Sequence, residues 1–186
     1  WSKIAGPFIA NKTDGNKILE LNWRPAFEVY KEVVEQRSQD KFSDDNFFSI
    51  AKGFPFGINK SGHEVVVRDP ISVNEDGVLT CVGNVSQNVS LRILEGDNEK
   101  LITSAAEAAE ESMVSEKIED NLIIDCISRI LYLEEDFERE LKAVAQTLNG
   151  ANDSDIEGAL TLGEISSSNE GPLELYNKTI VVATMS

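Results

Sequence analysis

Histidine occurs once in this sequence, at His63, and cysteine twice, at Cys81 and Cys126. A single imidazole cannot build a histidine-rich metal site, and neither cysteine belongs to a Cys-x-x-Cys pair. Both cysteines lie in apolar, strand-like runs, so the expectation is two buried free thiols in a reducing compartment. Cations are scarce as well: 17 Lys and Arg stand against 33 Asp and Glu, for a net charge of -16. That balance excludes a nucleic-acid or anionic-membrane surface, because phosphate contacts need clustered Lys and Arg. No apolar run approaches the ~20 residues of a membrane span, and the first residues, Trp1-Ser2-Lys3-Ile4, are not a signal peptide, so the expected location is the cytoplasm. The Gly-x-x-x-x-Gly-Lys-Ser/Thr loop, the Gly-x-Gly-x-x-Gly turn and the Gly-x-Ser-x-Gly elbow are all missing. Neither a cofactor nor a metal is expected.

Hydrophobic residues make up 41% of the 186, enough for a packed core without disulfide or metal staples. Residues 1–16 are read as a linker or the end of a preceding domain, and residues 17–186 as one domain. The most informative stretch is Asn121-Leu122-Ile123-Ile124-Asp125-Cys126-Ile127-Ser128-Arg129. A short apolar run of this kind, flanked by helical patterns, suits a buried strand whose C-terminal end opens into a crevice.

Lys17-Ile18-Leu19-Glu20-Leu21 reads as a short strand. Ala26, Phe27, Tyr30, Val33 and Val34 then repeat at helical spacing, which predicts an amphipathic helix over residues 24–36. Gly53-Phe54-Pro55-Phe56-Gly57 is expected to be irregular but packed. Val65-Val66-Val67 predicts a strand that ends at Arg68-Asp69-Pro70, because proline cannot donate to a ladder. Asn74-Glu75-Asp76-Gly77 is a turn signal between residues 70–73 and 78–82, and with residues 89–94 it suggests an antiparallel meander. An alanine-rich helix is predicted over residues 99–117, with Leu101, Ile102, Ala105, Ala109 and Met113 facing inward. A second helix follows the acidic start Glu134-Glu135-Asp136, with Phe137, Leu141, Val144 and Leu148 as its stripe. Residues 159–165 and 179–184 read as the last two strands. This order favours an α+β domain with a mixed, largely antiparallel sheet covered by helices. A three-layer α/β arrangement is the alternative, and the hairpin signal at residues 74–77 speaks against it.

Several short words recur here in a shared order: Asn22-Trp23-Arg24-Pro25-Ala26-Phe27-Glu28-Val29-Tyr30, Arg68-Asp69-Pro70, Asp76-Gly77, Gly83-Asn84-Val85, Cys126-Ile127-Ser128-Arg129, Gly163-Glu164-Ile165 and Leu175-Tyr176-Asn177-Lys178-Thr179. Together they resemble the FIST_C region, the C-terminal half of the FIST sensory domain, from about Lys17 to the end. The chain departs from that pattern at Ser128, where glycine is usual, and at Tyr176, where histidine is usual. The resemblance implies a sensory module of a signal-transduction protein and a small-molecule ligand, with amino acids and small carboxylates as candidates. It also implies a FIST_N-like domain preceding this region in the full-length chain, and a signalling output domain or protein as partner.

The candidate ligand-binding residues are Arg129, Glu164, Asn177, Thr179, Ser128, Cys126 and Arg68. Arg129 suits a carboxylate bidentately, and suits equally a structural pair with Asp125 or Glu164. Glu164 suits an ammonium group or the anchoring of its own loop. Asn177 and Thr179 offer uncharged polar atoms or turn caps, and Cys126 is a core hydrophobe unless a cation activates it. An arginine and an acid on one crevice is the minimal chemistry for a zwitterion, so the first reading is a non-catalytic sensor. A hydrolase or transferase using Cys126 or Glu164 would need an activating base within reach. A protein-interaction scaffold would show an exposed apolar patch and no polar crevice.

Overall fold

The computed structural model describes residues 1–59, 65–113, 120–149, 156–166 and 173–185. His63 and residues 114–117 of the helix predicted over 99–117 lie outside them. The chain divides into two compact units, Ser2–Gly96 and Asp97–Ser186, the latter joined by Trp1.

The first unit contains β1 (Ser2–Ile9), β2 (Lys12–Asp14), β3 (Lys17–Leu21), β4 (Arg24–Pro25), α1 (Ala26–Val34), α2 (Phe47–Ala51), β5 (Phe56–Asn59), β6 (Val65–Val73), β7 (Leu79–Val82) and β8 (Ser90–Glu95). Its strands form one sheet in the order β1-β8-β5-β6-β7-β3-β2, with β4 paired to β3. The first sixteen residues, read above as a linker or the end of a preceding domain, are regular structure: β1 is hydrogen-bonded antiparallel to β8, and β2 to β3. Register shifts interrupt the β1–β8 ladder between Lys3 and Ala5 and between Ala5 and Phe8. Gly6 sits there at φ 104, and a Cβ would stand 2.9 Å from the Leu91 carbonyl oxygen.

Helix α1 buries Ala26, Val29, Tyr30 and Val34; of the predicted stripe, Phe27 and Val33 are half-buried, and residues 24–25 of the predicted helix form β4 instead. The Tyr30 hydroxyl donates to the Phe54 carbonyl oxygen at 2.7 Å, and its ring meets Phe56, Phe42 and Phe47 at centroid distances of 5.2, 5.9 and 6.2 Å. The stretch 53–57 is packed, yet it is not wholly irregular, because Phe56 and Gly57 open β5. Strand β6 does not end at Pro70. It pairs with β5 only as far as Arg68 and with β7 from Asp69 onward, so the proline falls where the partner changes and its missing N–H leaves no gap in the β5 ladder. Asn74 turns the β6–β7 hairpin, its Oδ1 accepting from the backbone of Asp76 and Val78 at 3.1 and 2.8 Å. The meander covers β5, β6 and β7 alone, since β8 returns to pair with β5 and β1.

The second unit contains α3 (Asn98–Ser112), β9 (Asp120–Cys126), α4 (Ile127–Leu133), a 3₁₀ turn Glu134–Asp136, α5 (Phe137–Asn149), β10 (Ile156–Thr161), β11 (Glu164–Ser166), β12 (Glu174–Tyr176) and β13 (Ile180–Met185). Strand β9 is central, parallel to β10 and antiparallel to β13, so the sheet is mixed and the fold is α+β. Asp97 caps α3 by accepting from the Lys100 amide at 3.1 Å. The alanines let α3 approach closely: Ala105 and Ala109 pack with Ile123 of β9 and with Val144 and Leu148 of α5. Two expectations are corrected. Residues 127–133 form a helix that ends at Glu134, held at φ 51. The single strand read over residues 159–165 is two strands in different sheets, broken at Leu162-Gly163, because β10 pairs with β9 and β11 with β12. Among the described residues no helix is long and apolar enough to cross a membrane.

Candidate functional site

Alternation along β9 sends Asn121, Ile123 and Asp125 to one buried face. Asp125 therefore enters the interior of the second unit because it keeps the phase of the apolar residues around it. Three further charged side chains are buried near it: Asp125 is 1% exposed, Arg129 3%, Glu140 0% and Glu164 2%. Arg129 comes from the first turn of α4 and Glu140 from α5, where Glu140, Val144 and Leu148 recur at i, i+4 and i+8 on the inward face.

Arg129 is committed within this group. Its Nε donates to Glu140 Oε1 and Oε2 at 3.0 and 2.9 Å, and its NH2 donates to Glu140 Oε2 as well. The same NH2 reaches the Leu101 carbonyl oxygen at 2.7 Å, and NH1 reaches that of Lys178 at 3.4 Å. Glu164 is held too: Thr161 donates to its Oε1 at 2.7 Å and Thr179 to its Oε2. Neither Asp125 oxygen receives a hydrogen bond from a donor. Burial first, and then the Glu140 carboxylate, push Asp125 up to about 7, against the opposing pull of Arg129. The neighbour that raises it is thus another carboxylate.

The other nominated residues are structural in their surroundings. Asn177 is fully buried, with Nδ2 donating to the Tyr176 carbonyl oxygen at 3.1 Å and Oδ1 accepting nothing. Gly163 explains this closeness, since a Cβ there would stand 2.9 Å from the Tyr176 carbonyl oxygen. Cys126 is buried, its Sγ 3.3 Å from Ser128 Oγ, and the Ser128 carbonyl oxygen accepts from Lys178 Nζ at 3.0 Å. Arg68 belongs to the first unit and donates to the carbonyl oxygens of Asn84 and Val67 at 2.9 and 3.0 Å. Arg129, Glu164, Thr179, Ser128, Cys126 and Asn177 thus come from one unit, while Arg68 belongs to the other.

A cavity of about 410 Å³ opens beside this group, lined by Ile123 and Asp125 of β9, Phe137, Leu141 and Ala145 of α5, and residues 156–160 of β10. None of the seven nominated side chains lines it. The expected opening at the C-terminal tip of β9 is instead a trough along β9 and β10 under α5. Half of the predicted α5 stripe faces it: Leu141 is 37% exposed and lines the cavity with Phe137, while Val144 and Leu148 enter the core. Sequence reasoning missed Glu140 and treated Asp125 only as a structural partner. The signal for each was positional, an acid in phase with a buried stripe. The first unit has a hollow of about 640 Å³ bordered by Phe27, Lys31, Phe42, Asp44 and Glu75, which holds none of the nominated residues. Among the described residues no three His, Cys, Asp or Glu side chains are arranged to hold a metal ion.

In comparison with known proteins, a family profile described as the FIST C domain aligns with residues 26–167. No curated protein and no solved structure matches the chain.

Proposed function

Because this chain belongs to the FIST C domain family, a sensory family associated with signal transduction, we propose that its Asp97–Ser186 unit senses a small molecule in the cavity between α5 and the strands β9 and β10. One observation carries the reading. The cavity is of ligand size and apolar walled, and Asp125, a buried acid without a donor, is among the residues that line it, the combination of shape and sparse polar groups that small-molecule sites use. The ligand classes implied by the family resemblance, amino acids and small carboxylates, meet this site unequally. Among the described residues that line it there is no Lys, Arg or His, and Arg129 is committed to Glu140, so an ammonium finds a partner and a carboxylate does not.

A thermal-shift screen of amino acids, amines, alcohols and small carboxylates tests this on the whole chain. A ligand at ~100 times its Kd adds about 2.7 kcal/mol of stability. Stabilisation that Ala145→Trp removes by filling the cavity supports the reading, and stabilisation that survives this substitution speaks against it.

A second reading is favoured by exposed apolar side chains: Leu162, Ile165 and Leu173 are 77%, 72% and 74% exposed, and Ile165 pairs with Leu175 across β11 and β12. A surface of this kind suits a protein partner, such as a FIST_N-like domain of the same full-length chain or a signalling output protein. Ile165→Ser with Leu173→Ser would weaken that association and leave small-molecule binding unchanged.

A further inference from the structure

We propose that the cavity takes a molecule built of an apolar body and a protonated amine, with the amine held at Asp125. This rests on the reading of the cavity as the sensory site. The charges that act on Asp125 are Glu140 of α5, Arg129 of α4 and Glu164 of β11, with Glu157 of β10 on the cavity wall and the fully buried Lys178 donating to the Ser128 carbonyl oxygen at 3.0 Å. Arg129 is the cation that bears on Asp125, and its Nε and NH2 are bonded to Glu140. Glu164 is satisfied by two threonine hydroxyls. Asp125 is left as the buried acid that lacks a donor, and the cavity wall adds no positive charge.

Ligand classes differ sharply in such a site. A carboxylate would face two acids and no cation. An alcohol would bring one donor and leave the charge unbalanced. An ammonium supplies three donors and the missing positive charge, while Ile123, Phe137, Leu141 and Ala145 offer an apolar wall for the remainder of the molecule.

The amine must displace a proton. Asp125 is raised to about 7 by burial and by Glu140, whereas an alkyl ammonium keeps its proton to about pH 10. Below pH 7 the carboxyl is neutral and the ammonium loses its partner. Affinity therefore falls about tenfold for each pH unit below that point.

The test uses the whole chain in about 150 mM salt, which screens its acidic surface. The probes are 2-phenylethylamine, 2-phenylethanol and 3-phenylpropanoate, titrated at pH 8 and pH 6 by calorimetry and by methyl NMR of Ile123 and Leu141. The amine is expected to bind at least tenfold more tightly than either control at pH 8, to shift both methyl signals, and to weaken about tenfold at pH 6. Asp125→Asn should remove the amine's advantage, and Ala145→Trp should abolish binding of amine and alcohol alike. The pH comparison needs no variant, so it decides even if Asp125→Asn does not fold. Equal binding of amine and alcohol at the cavity, tighter binding of the carboxylate, or an amine affinity indifferent to pH would overturn the amine assignment while leaving the cavity reading standing. If none of the three probes shifts the cavity methyl signals, both readings fall.

Discussion

The guanidinium of Arg129 holds the carboxylate of Glu140 from two nitrogens, with both side chains withdrawn from water. This pair ties α4 to α5, and the further bond from Arg129 to the Leu101 carbonyl oxygen brings in α3. The arginine at the end of the Cys126-Ile127-Ser128-Arg129 word is therefore a joint between helices.

Removing one side of that joint leaves an uncompensated buried charge. Arg129→Met is expected to destabilise the second unit by about 3–5 kcal/mol, and Glu140→Leu by a similar amount. The double substitution Arg129→Met with Glu140→Leu should cost much less than the sum, since it removes both charges and keeps the volume. Urea denaturation of the four chains measures this, and additive losses would show that the two side chains are not coupled.

Asp125 makes stability depend on pH with an unusual sign. Its folded value of about 7 lies above the ordinary 3.8, so the folded state holds its proton longer than the unfolded chain. The contribution of this group is fully present below pH 4 and is lost as pH rises through 7, a change of at most about 4 kcal/mol. Asp125→Asn, whose amide can donate to Glu140, should flatten this dependence, so that the variant gains on the parent chain between pH 5 and pH 8. Parallel pH profiles for the two chains would show that Asp125 titrates normally.

Glu164 depends on its two hydroxyl donors. Thr179→Val keeps the shape of the side chain but leaves one carboxylate oxygen of a buried acid without its hydrogen bond, at an expected cost of about 1–3 kcal/mol. Thr161→Val should behave alike. Loss of stability below about 0.5 kcal/mol in both variants would show that water replaces the hydroxyls.

Cys81 and Cys126 are free and buried. Burial, with the nearby Asp69 carboxylate adding to it, pushes the Cys81 thiol up to about 12, so it carries almost no thiolate at neutral pH. Neither thiol should react with a disulfide reagent within minutes in the native chain, and both should react at once in denaturant. Rapid labelling of the native chain at either position would contradict this.

The features legible along the chain were those whose cause is local. The alternation in residues 121–126, the helical stripe of Leu101, Ile102, Ala105 and Ala109, and the Asn74–Gly77 turn each follow from a period or a backbone preference shared by near neighbours. The ordered words that resemble the FIST C domain were equally readable, and the family profile covers residues 26–167. What the tertiary structure alone decided is which polar groups meet. Arg129 chose Glu140 instead of Asp125 or Glu164 because the break at Glu134 turns the chain so that α5 brings Glu140 to Arg129, and Glu164 met Thr179 because the chain left the β10 ladder at Gly163. An acid in phase with an apolar stripe looks the same in sequence whether it ends in water, in an ion pair or on a cavity wall. Its fate depends on the registers of β9, β10 and β13 and on the seating of α3 and α5, and those are set by packing between segments that no local period connects.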